Sequence, residues 1–247
     1  MLNLKNKYCL VTGCNGYIGK AITKKLKILG AKVIGIDIMV KKKDPNLFYF
    51  AKLNMENKKE IDQFKSLLNK KFKKIDVLVN NAGYVGTSDI NTKKNNKFFY
   101  NEKYSELNLI NTIYLTSALI PLLKKSKSAS IINICSIYSS LAYDYNLYKG
   151  TKMNIPLAYG VTKAGLMHYA KMLSTIVGPK IRVNAISPGG IYRKQPTKFI
   201  KRYLNKTPLL RMGNENDVAN AVIFLSSELS NYITGQNLIV DGGYSVS

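Results

Sequence analysis

Cysteine, arginine and long apolar runs are all scarce in this sequence, and each shortage narrows what the chain can be. Only three cysteines occur, Cys9, Cys14 and Cys135. Their odd number argues against a disulfide framework, and their positions show no metal-ligand spacing. They read as reduced, partly buried thiols, with no metal site expected. No segment approaches the run of about 20 apolar residues that spans a bilayer. The first residues, MLNLKNKYCLVTG, carry no apolar signal-peptide core ahead of the first strand-like run. A cytoplasmic location is the expectation.

Acidic residues are also few. There are 14 Asp and Glu against 38 Lys and Arg, a formal net charge of +24. Such a balance points towards nucleic acid, but the shortage of arginine weakens that reading. Arg182, Arg193, Arg202 and Arg211 are the only arginines, and 34 lysines are spread along the chain. Lysines at solvated positions account for the profile without a dedicated nucleic-acid surface. Clusters such as Lys41–Lys43 and Lys70–Lys74 would bind polyanions weakly. An anionic small-molecule substrate, such as a sugar nucleotide, is compatible with the charge.

At 247 residues the chain can bury a substantial core. Its pattern alternates strands and helices. KYCLVTG is a short apolar run ending in glycine, and YIGKAITKKLKILG has helical periodicity and stops at Gly30. The strands AKVIGID and NLFYFAKLN follow, then a charged helix from about Glu56 to Lys71 and the strand IDVLVN. A helix from about Glu102 to Lys125 leads into ASIINICS. Another holds Tyr159 to Ile176 and precedes IRVNAIS, and a last one around Asp217 to Ser226 precedes QNLIVDGG. Apolar β runs separated by amphipathic helices imply a parallel sheet covered on both faces. Right-handed crossovers make it one doubly wound α/β domain over residues 1–247, without linker or repeat.

The first βα turn, TGCNGYIG, carries Gly13, Gly16 and Gly19. Gly13 allows the tight turn, Gly16 lets the backbone approach a pyrophosphate, and Gly19 lets the helix pack closely. Asn15, Tyr17 and Ile18 complete the loop, and the helix N-terminus offers N–H groups to phosphates. Asp37 follows Gly19 by 18 residues, at the end of the second strand. An acid there accepts hydrogen bonds from ribose hydroxyls and repels a 2′-phosphate. No Lys or Arg lies among Cys14, Asn15, Tyr17 and Ile18 to receive such a phosphate. NAD is therefore expected over NADP, with Lys41–Lys43 as the groups that could fold back and oppose it.

In this order the motifs resemble the short-chain dehydrogenase/reductase family from end to end. The matching stretches are TGCNGYIG, Asp37, NNAG at Asn80–Gly83, Asn108 in ELNLIN, Ser136 in INICSIYS, Tyr159 and Lys163 in YGVTK, RVNAISPGG from Arg182, and TGQNLIVDGGY. The resemblance implies a Rossmann fold with a seven-stranded sheet, a nicotinamide cofactor, and homodimers or homotetramers.

Tyr-x-x-x-Lys occurs twice, as Tyr148 with Lys152 and as Tyr159 with Lys163. Residues four apart share a helix face, and a lysine charge beside a phenol favours the phenolate. Tyr148 lies 12 residues after Ser136 and Tyr159 lies 23 after it. The family's usual serine–tyrosine spacing favours the first pair. Helix chemistry favours the second and outweighs the spacing. Pro156 would break a helix continuing from Lys152, and Gly150 disfavours helix inside the first pair. YGVTKAGLMHYAKMLSTIV is uninterrupted, and the 19 residues from Lys163 to Arg182 accommodate a helix and turn before RVNAISPGG. Tyr159 and Lys163 are the expected pair. Tyr148 and Lys152 then belong to an insertion at about residues 141–157.

The resemblance implies the residue roles. Tyr159 would take the alcohol proton in oxidation or give one to the carbonyl in reduction. Lys163 would lower the tyrosine's pKa and hold the nicotinamide ribose. Ser136 would orient the reacting oxygen, and Asn108 would support Lys163 through a water-linked proton path. Asn81, Ala82 and Gly83 would line the cofactor cleft, Asn54 would contact adenine, and Pro188, Gly189 and the Ile191 backbone would flank the nicotinamide. His168 reads as a packing or interface residue. The expected function is NAD(P)-dependent interconversion of a secondary alcohol and a ketone. The alternative is a non-catalytic dinucleotide-binding sensor or scaffold on the same fold, and the intact Ser136, Tyr159 and Lys163 set favours the enzyme.

Three features depart from the family pattern. The T-G-x-x-G-x-x-G spacing is closer to the family's extended branch, against which the chain length and DGGY both argue. Arg193 stands where short-form members often carry Thr, and adds a cation over the site. The insertion, YDYNLYKGTKMNIP, should overhang the active site beside a substrate lid at about residues 193–211. Such an insertion resembles a bacterial subgroup linked to nonulosonic acid or other surface-sugar synthesis. A sugar or sugar-nucleotide derivative is thus the expected substrate, and carbohydrate biosynthesis the expected setting.

Overall fold

Short apolar runs with no polar face can sit only inside a sheet covered on both sides. The computed structural model, which describes residues 3–40, 44–85 and 102–247, puts them there. Seven parallel strands run in the order β3-β2-β1-β4-β5-β6-β7. They are β1 Tyr8–Thr12, β2 Lys32–Asp37, β3 Tyr49–Lys52, β4 Val77–Asn80, β5 Ala129–Ile134, β6 Ile181–Pro188 and β7 Asn237–Val240. The helices are α1 Tyr17–Ile28, α2 Lys58–Lys71, α3 Glu102–Ser105, α4 Asn111–Leu123, α5 Leu157–Val177, α6 Thr197–Leu204 and α7 Glu215–Ser226. This is the doubly wound Rossmann arrangement.

Alternate strand residues divide between two cores. Leu10 and Leu78 face Ile61 and Phe64 of α2, Leu115 and Leu119 of α4, and Leu166 of α5. Cys9, Val11 and Val79 face Ile22 and Leu26 of α1, with Val218 and Val222 of α7. A third apolar cluster joins Ile137, Leu147, Tyr148, Phe199, Tyr203 and Tyr244.

Some element bounds differ from the expectation for local reasons. α2 starts at Lys58 because the Asn57 side chain caps it, accepting from the N–H groups of Lys59 and Glu60. The helix expected from Glu102 is divided by a π turn at Glu106–Ile110. The stretch Glu102–Leu123, with a mean hydropathy of 1.2, is also long and apolar enough to cross a bilayer by length and composition. That corrects the reading that no segment approaches such a run. Leu115, Leu119, Leu122 and Leu123 bury its apolar face in the core instead. Within the expected lid, α6 forms after Pro196.

Winding reverses direction between β1 and β4, which opens a crevice at the C-terminal ends of the strands. A buried polar set holds the elements around it. Asn80 pairs in register with Asn133. Asn80 Nδ2 donates to Asn133 Oδ1 at 2.8 Å and to Thr116 Oγ1 at 2.9 Å. Asn133 Nδ2 donates onward to Leu166 O, on α5, at 3.4 Å. Strands β4 and β5 are thereby tied to α4 and α5. Asn133→Ala is predicted to destabilise the fold by about 1–3 kcal/mol, the cost of stranding a buried donor. Urea unfolding would show this as a lower midpoint with an unchanged slope.

Candidate active site

The crevice opens into a cleft of about 650 Å³, a size that accommodates a large small-molecule ligand. The first βα turn builds one end. Gly13 takes φ +63°, and a Cβ there would stand 2.9 Å from Ala82 Cα. A Cβ on Gly19 would stand 2.1 Å from Gly13 O, so Gly19 supports the loop from behind. Gly16 caps α1 with no side-chain hydrogen bond, which leaves first-turn N–H groups for an anion. Asn15, Tyr17 and Ile18 line this end. The Asp37 carboxylate closes it, accepting from the N–H groups of Asn15 and Met39 at 2.9 Å each. Asn54 lines the adjoining wall, where its Oδ1 accepts from Glu56 N–H. Lys41–Lys43, the expected rivals of Asp37, lie outside the described residues.

NNAG forms the floor. Asn81 Nδ2 donates to the carbonyls of Thr12 and Gly13, and Thr12 Oγ1 accepts from the N–H groups of Asn81 and Ala82. Asn81 is thus a pin between β1 and β4 as well as a lining residue, beside Ala82 and Gly83. Asn108 is fully buried behind the wall. It brackets Tyr84, accepting from its N–H at 2.7 Å and donating to its carbonyl at 2.9 Å.

The chemistry-bearing groups converge at the other end. Pro156 caps α5, so Tyr159 falls in its first turn and Lys163 in the next. Lys163 is 4% exposed, and its Nζ donates to Ile134 O at 2.8 Å and lies 5.9 Å from the Tyr159 ring centroid. Ser136 caps the 3₁₀ turn Ile137–Ser139, and its side chain hydrogen-bonds Tyr159. Burial pushes the Tyr159 phenol up to about 12, against the opposing pull of the Ser136 hydrogen bond and the Arg193 charge. Burial also lowers the pKa of Lys163. Ser136 and Arg193 are the lowering groups, and desolvation of the phenolate outweighs both.

Tyr148 and Lys152 share no helix. Tyr148 ends a short 3₁₀ turn, Tyr145–Leu147, and Gly150 at φ +70° redirects the chain. Tyr148 nevertheless lines the cleft. Pro188, Gly189 and Ile191 form the wall nearby. Gln195 holds this loop, donating to Ile191 O and accepting from Arg193 N–H at 2.7 Å each. The Arg193 guanidinium reaches the Tyr17 ring, 4.9 Å from its centroid, and so spans from the lid to the glycine loop. Tyr143 donates to Pro156 O at 3.0 Å and accepts from Gly160 N–H at 2.6 Å, which sets the start of α5. Gln195 and Tyr143 act on backbone groups and carry no motif. The density of tyrosines from 138 to 148 is the only local signal near them. His168 is exposed on α5.

Comparison with known proteins agrees with this geometry. A family model described as enoyl-(acyl carrier protein) reductase matches residues 15–245. The chain is 33% identical to the 7alpha-hydroxysteroid dehydrogenase of Bacteroides fragilis, covering 100% of this chain and 97% of that one. It is 32% identical to the post-translational flagellin modification protein A of Campylobacter coli, over 98% and 100%. Among solved structures it is similar to a short chain dehydrogenase of Leptospira borgpetersenii with bound NAD+, at a TM-score of 0.87, 36% identity and coverage of 98% and 94%. It is also similar to the aldohexose dehydrogenase of Thermoplasma acidophilum, at a TM-score of 0.83, 27% identity and coverage of 99% and 96%.

The Tyr159 titration is open to measurement. Tyrosinate absorbance of the wild type minus that of Tyr159→Phe should show a midpoint near 12 rather than the ordinary 10, and Ser136→Ala should move it higher. Because the folded value lies above the unfolded one, this group's stabilisation is full below pH 10 and is lost as pH rises through 12.

Proposed function

The chain belongs to the short-chain dehydrogenase/reductase family, whose members carry out NAD(P)-dependent alcohol–ketone oxidoreduction, and on that premise we propose its particular reaction. Tyr159 acts as acid–base group, NAD is the cofactor, and the substrate is a sugar or sugar-nucleotide derivative bearing a secondary alcohol or ketone. The observation that carries this reading is the convergence of Ser136, Tyr159 and Lys163 in a cleft whose far end is an uncapped helix N-terminus beside Asp37.

A dinucleotide fits these residues, because the Gly13–Gly19 loop is a cradle that side chains would fill. The α1 N-terminus at Gly16 would hold the pyrophosphate, Asp37 the adenosine ribose, and Lys163 the nicotinamide ribose. Asn54 would meet the adenine, while Asn81 to Gly83 and Pro188 to Ile191 would line the remainder. When bound, the nicotinamide accepts or supplies the hydride. Tyr159 moves the proton: its hydroxyl gives one to the ketone oxygen, and in the reverse direction its oxygen takes one from the alcohol. The Ser136 hydroxyl meets the same substrate oxygen and orients it. Behind Tyr159, a point at the Gly83 Cβ position is 3.2 Å from Lys163 Nζ and 3.3 Å from Asn108 Oδ1. Both groups therefore flank Gly83, which supports the water-linked path from Asn108 to Lys163.

The charge of Asp37 opposes a 2′-phosphate and so supports NAD over NADP. For the substrate, support comes from the basic charge, the insertion, and likeness to proteins named for aldohexose oxidation and flagellin modification. Three buried thiols support a reducing cytoplasm, and exposed Val161, Met172 and Ile176 on α5 support a homo-oligomer.

Tyr159→Phe is predicted to bind NADH as the wild type does while kcat falls about a thousandfold, the usual scale for loss of general acid–base catalysis. Stopped-flow NADH absorbance with saturating substrate reads the step. A Tyr159→Phe enzyme retaining full kcat would sink the assignment.

A further inference from the structure

Residues 141–156 and α6 are fastened to each other, although neither takes part in moving the proton or the hydride. Arg202 of α6 donates through Nη1 to the carbonyls of Asn146 and Leu147 at 3.0 and 3.3 Å, and to that of Lys149. Lys206, just past α6, forms an ion pair with Asp144. Beneath these contacts the Tyr148 ring packs on Phe199 with centroids 5.3 Å apart, and Tyr203 stacks on Tyr244 at 4.6 Å. The inserted segment and the lid helix therefore make one wall.

Tyr148 is where that wall meets the cleft. It lines the same cavity as Ser136 and Tyr159. Its hydroxyl lies 3.2 Å from that of Tyr138, which the cavity lining does not include. A phenol has one proton and two lone pairs, so a single contact leaves Tyr148 with capacity to spare. At 8% exposure that capacity has little water to satisfy it. A cleft built this way favours a ligand that brings an oxygen to the spot over one that brings only carbon.

We propose that Tyr148 is a specificity-determining residue, whose hydroxyl pairs with a second substrate oxygen on the carbon next to the reacting one. The preferred substrates are then vicinal diols and α-hydroxy ketones. Arg202 is the positioning residue that holds Tyr148 through the Asn146–Lys149 turn. This inference rests on the oxidoreductase reading above.

The test uses the full chain with NAD and two probes, cyclohexanol and trans-cyclohexanediol with adjacent hydroxyls, followed by NADH absorbance. The wild type should oxidise the diol with a kcat/KM about tenfold or more above that of cyclohexanol. Tyr148→Phe should lose that preference, the ratio of the two kcat/KM values falling to about one. Arg202→Met should raise KM for the diol with little change in kcat, and Arg202→Lys should recover part of the loss. This split separates positioning from a general loss of folded protein. Equal use of both probes by the wild type, or a diol preference that survives Tyr148→Phe, overturns the inference and leaves the oxidoreductase reading standing. If Tyr148→Phe fails to fold, the wild-type ratio and the Arg202→Met KM decide the matter by the same criteria. Hydride transfer from neither alcohol, in protein that binds NADH, overturns both.

Discussion

A lysine ammonium inside a protein must be met by acceptors, because burial alone drives it towards neutrality. Lys163 is that group, and much of the site follows from placing it. Ile134 O can accept its hydrogen bond because β5 ends there and the chain turns off through the Ser136-capped 3₁₀ turn. Gly83 leaves room for it, since a Cβ would press within 3.2 Å of Nζ. α5 has to begin where Tyr159 falls one turn ahead, and Pro156 and the Tyr143 contacts set that start. The result is a phenol and a cation at fixed spacing in a largely dry corner. There, electrostatic interactions count for more than they do in water.

With only 14 acidic residues against 38 basic ones, several acids serve as structural posts. Asp37 ties the glycine loop to the end of β2. Asp76 accepts from Tyr8 N–H, Lys74 and Ser126 and so joins β1 to the segment after α4. Asp217 accepts from the N–H of Asn214, the residue that caps α7, and takes two hydrogen bonds from Arg211. The excess of lysine remains as a positive field around the molecule, which draws anionic ligands towards the cleft. That field acts on rates of encounter and is weakened by salt. It does not choose among substrates, which falls to the shaped wall formed by the insertion and α6.

Much of this was legible in the sequence because it rests on local rules. Glycines at fixed spacing after an apolar run mark the turn under Gly13 and Gly16 and the helix that follows. The choice between the two Tyr–Lys pairs turned on Pro156 and Gly150, and those residues sit at a helix cap and a positive φ. What was not legible depends on contacts between distant segments. The Arg202 clamp joins residues more than 50 positions apart, and no periodicity announces it. Asn108 was recognised, but its hold on the Tyr84 backbone requires the π turn that tertiary packing imposes. The direction of the Tyr159 shift also needed burial, which a four-residue spacing does not report.

The central claim, that this cleft holds NAD and works through Asp37 at one end and Lys163 at the other, is tested most directly by titrating the protein with NADH and with NADPH. The chain has no tryptophan, so energy transfer from its 17 tyrosines to the reduced nicotinamide reads binding without interference. NADH is predicted to bind about tenfold or more tightly than NADPH, a difference of about 1.4 kcal/mol. Tighter binding of NADPH, or binding of neither by the folded protein, would contradict it.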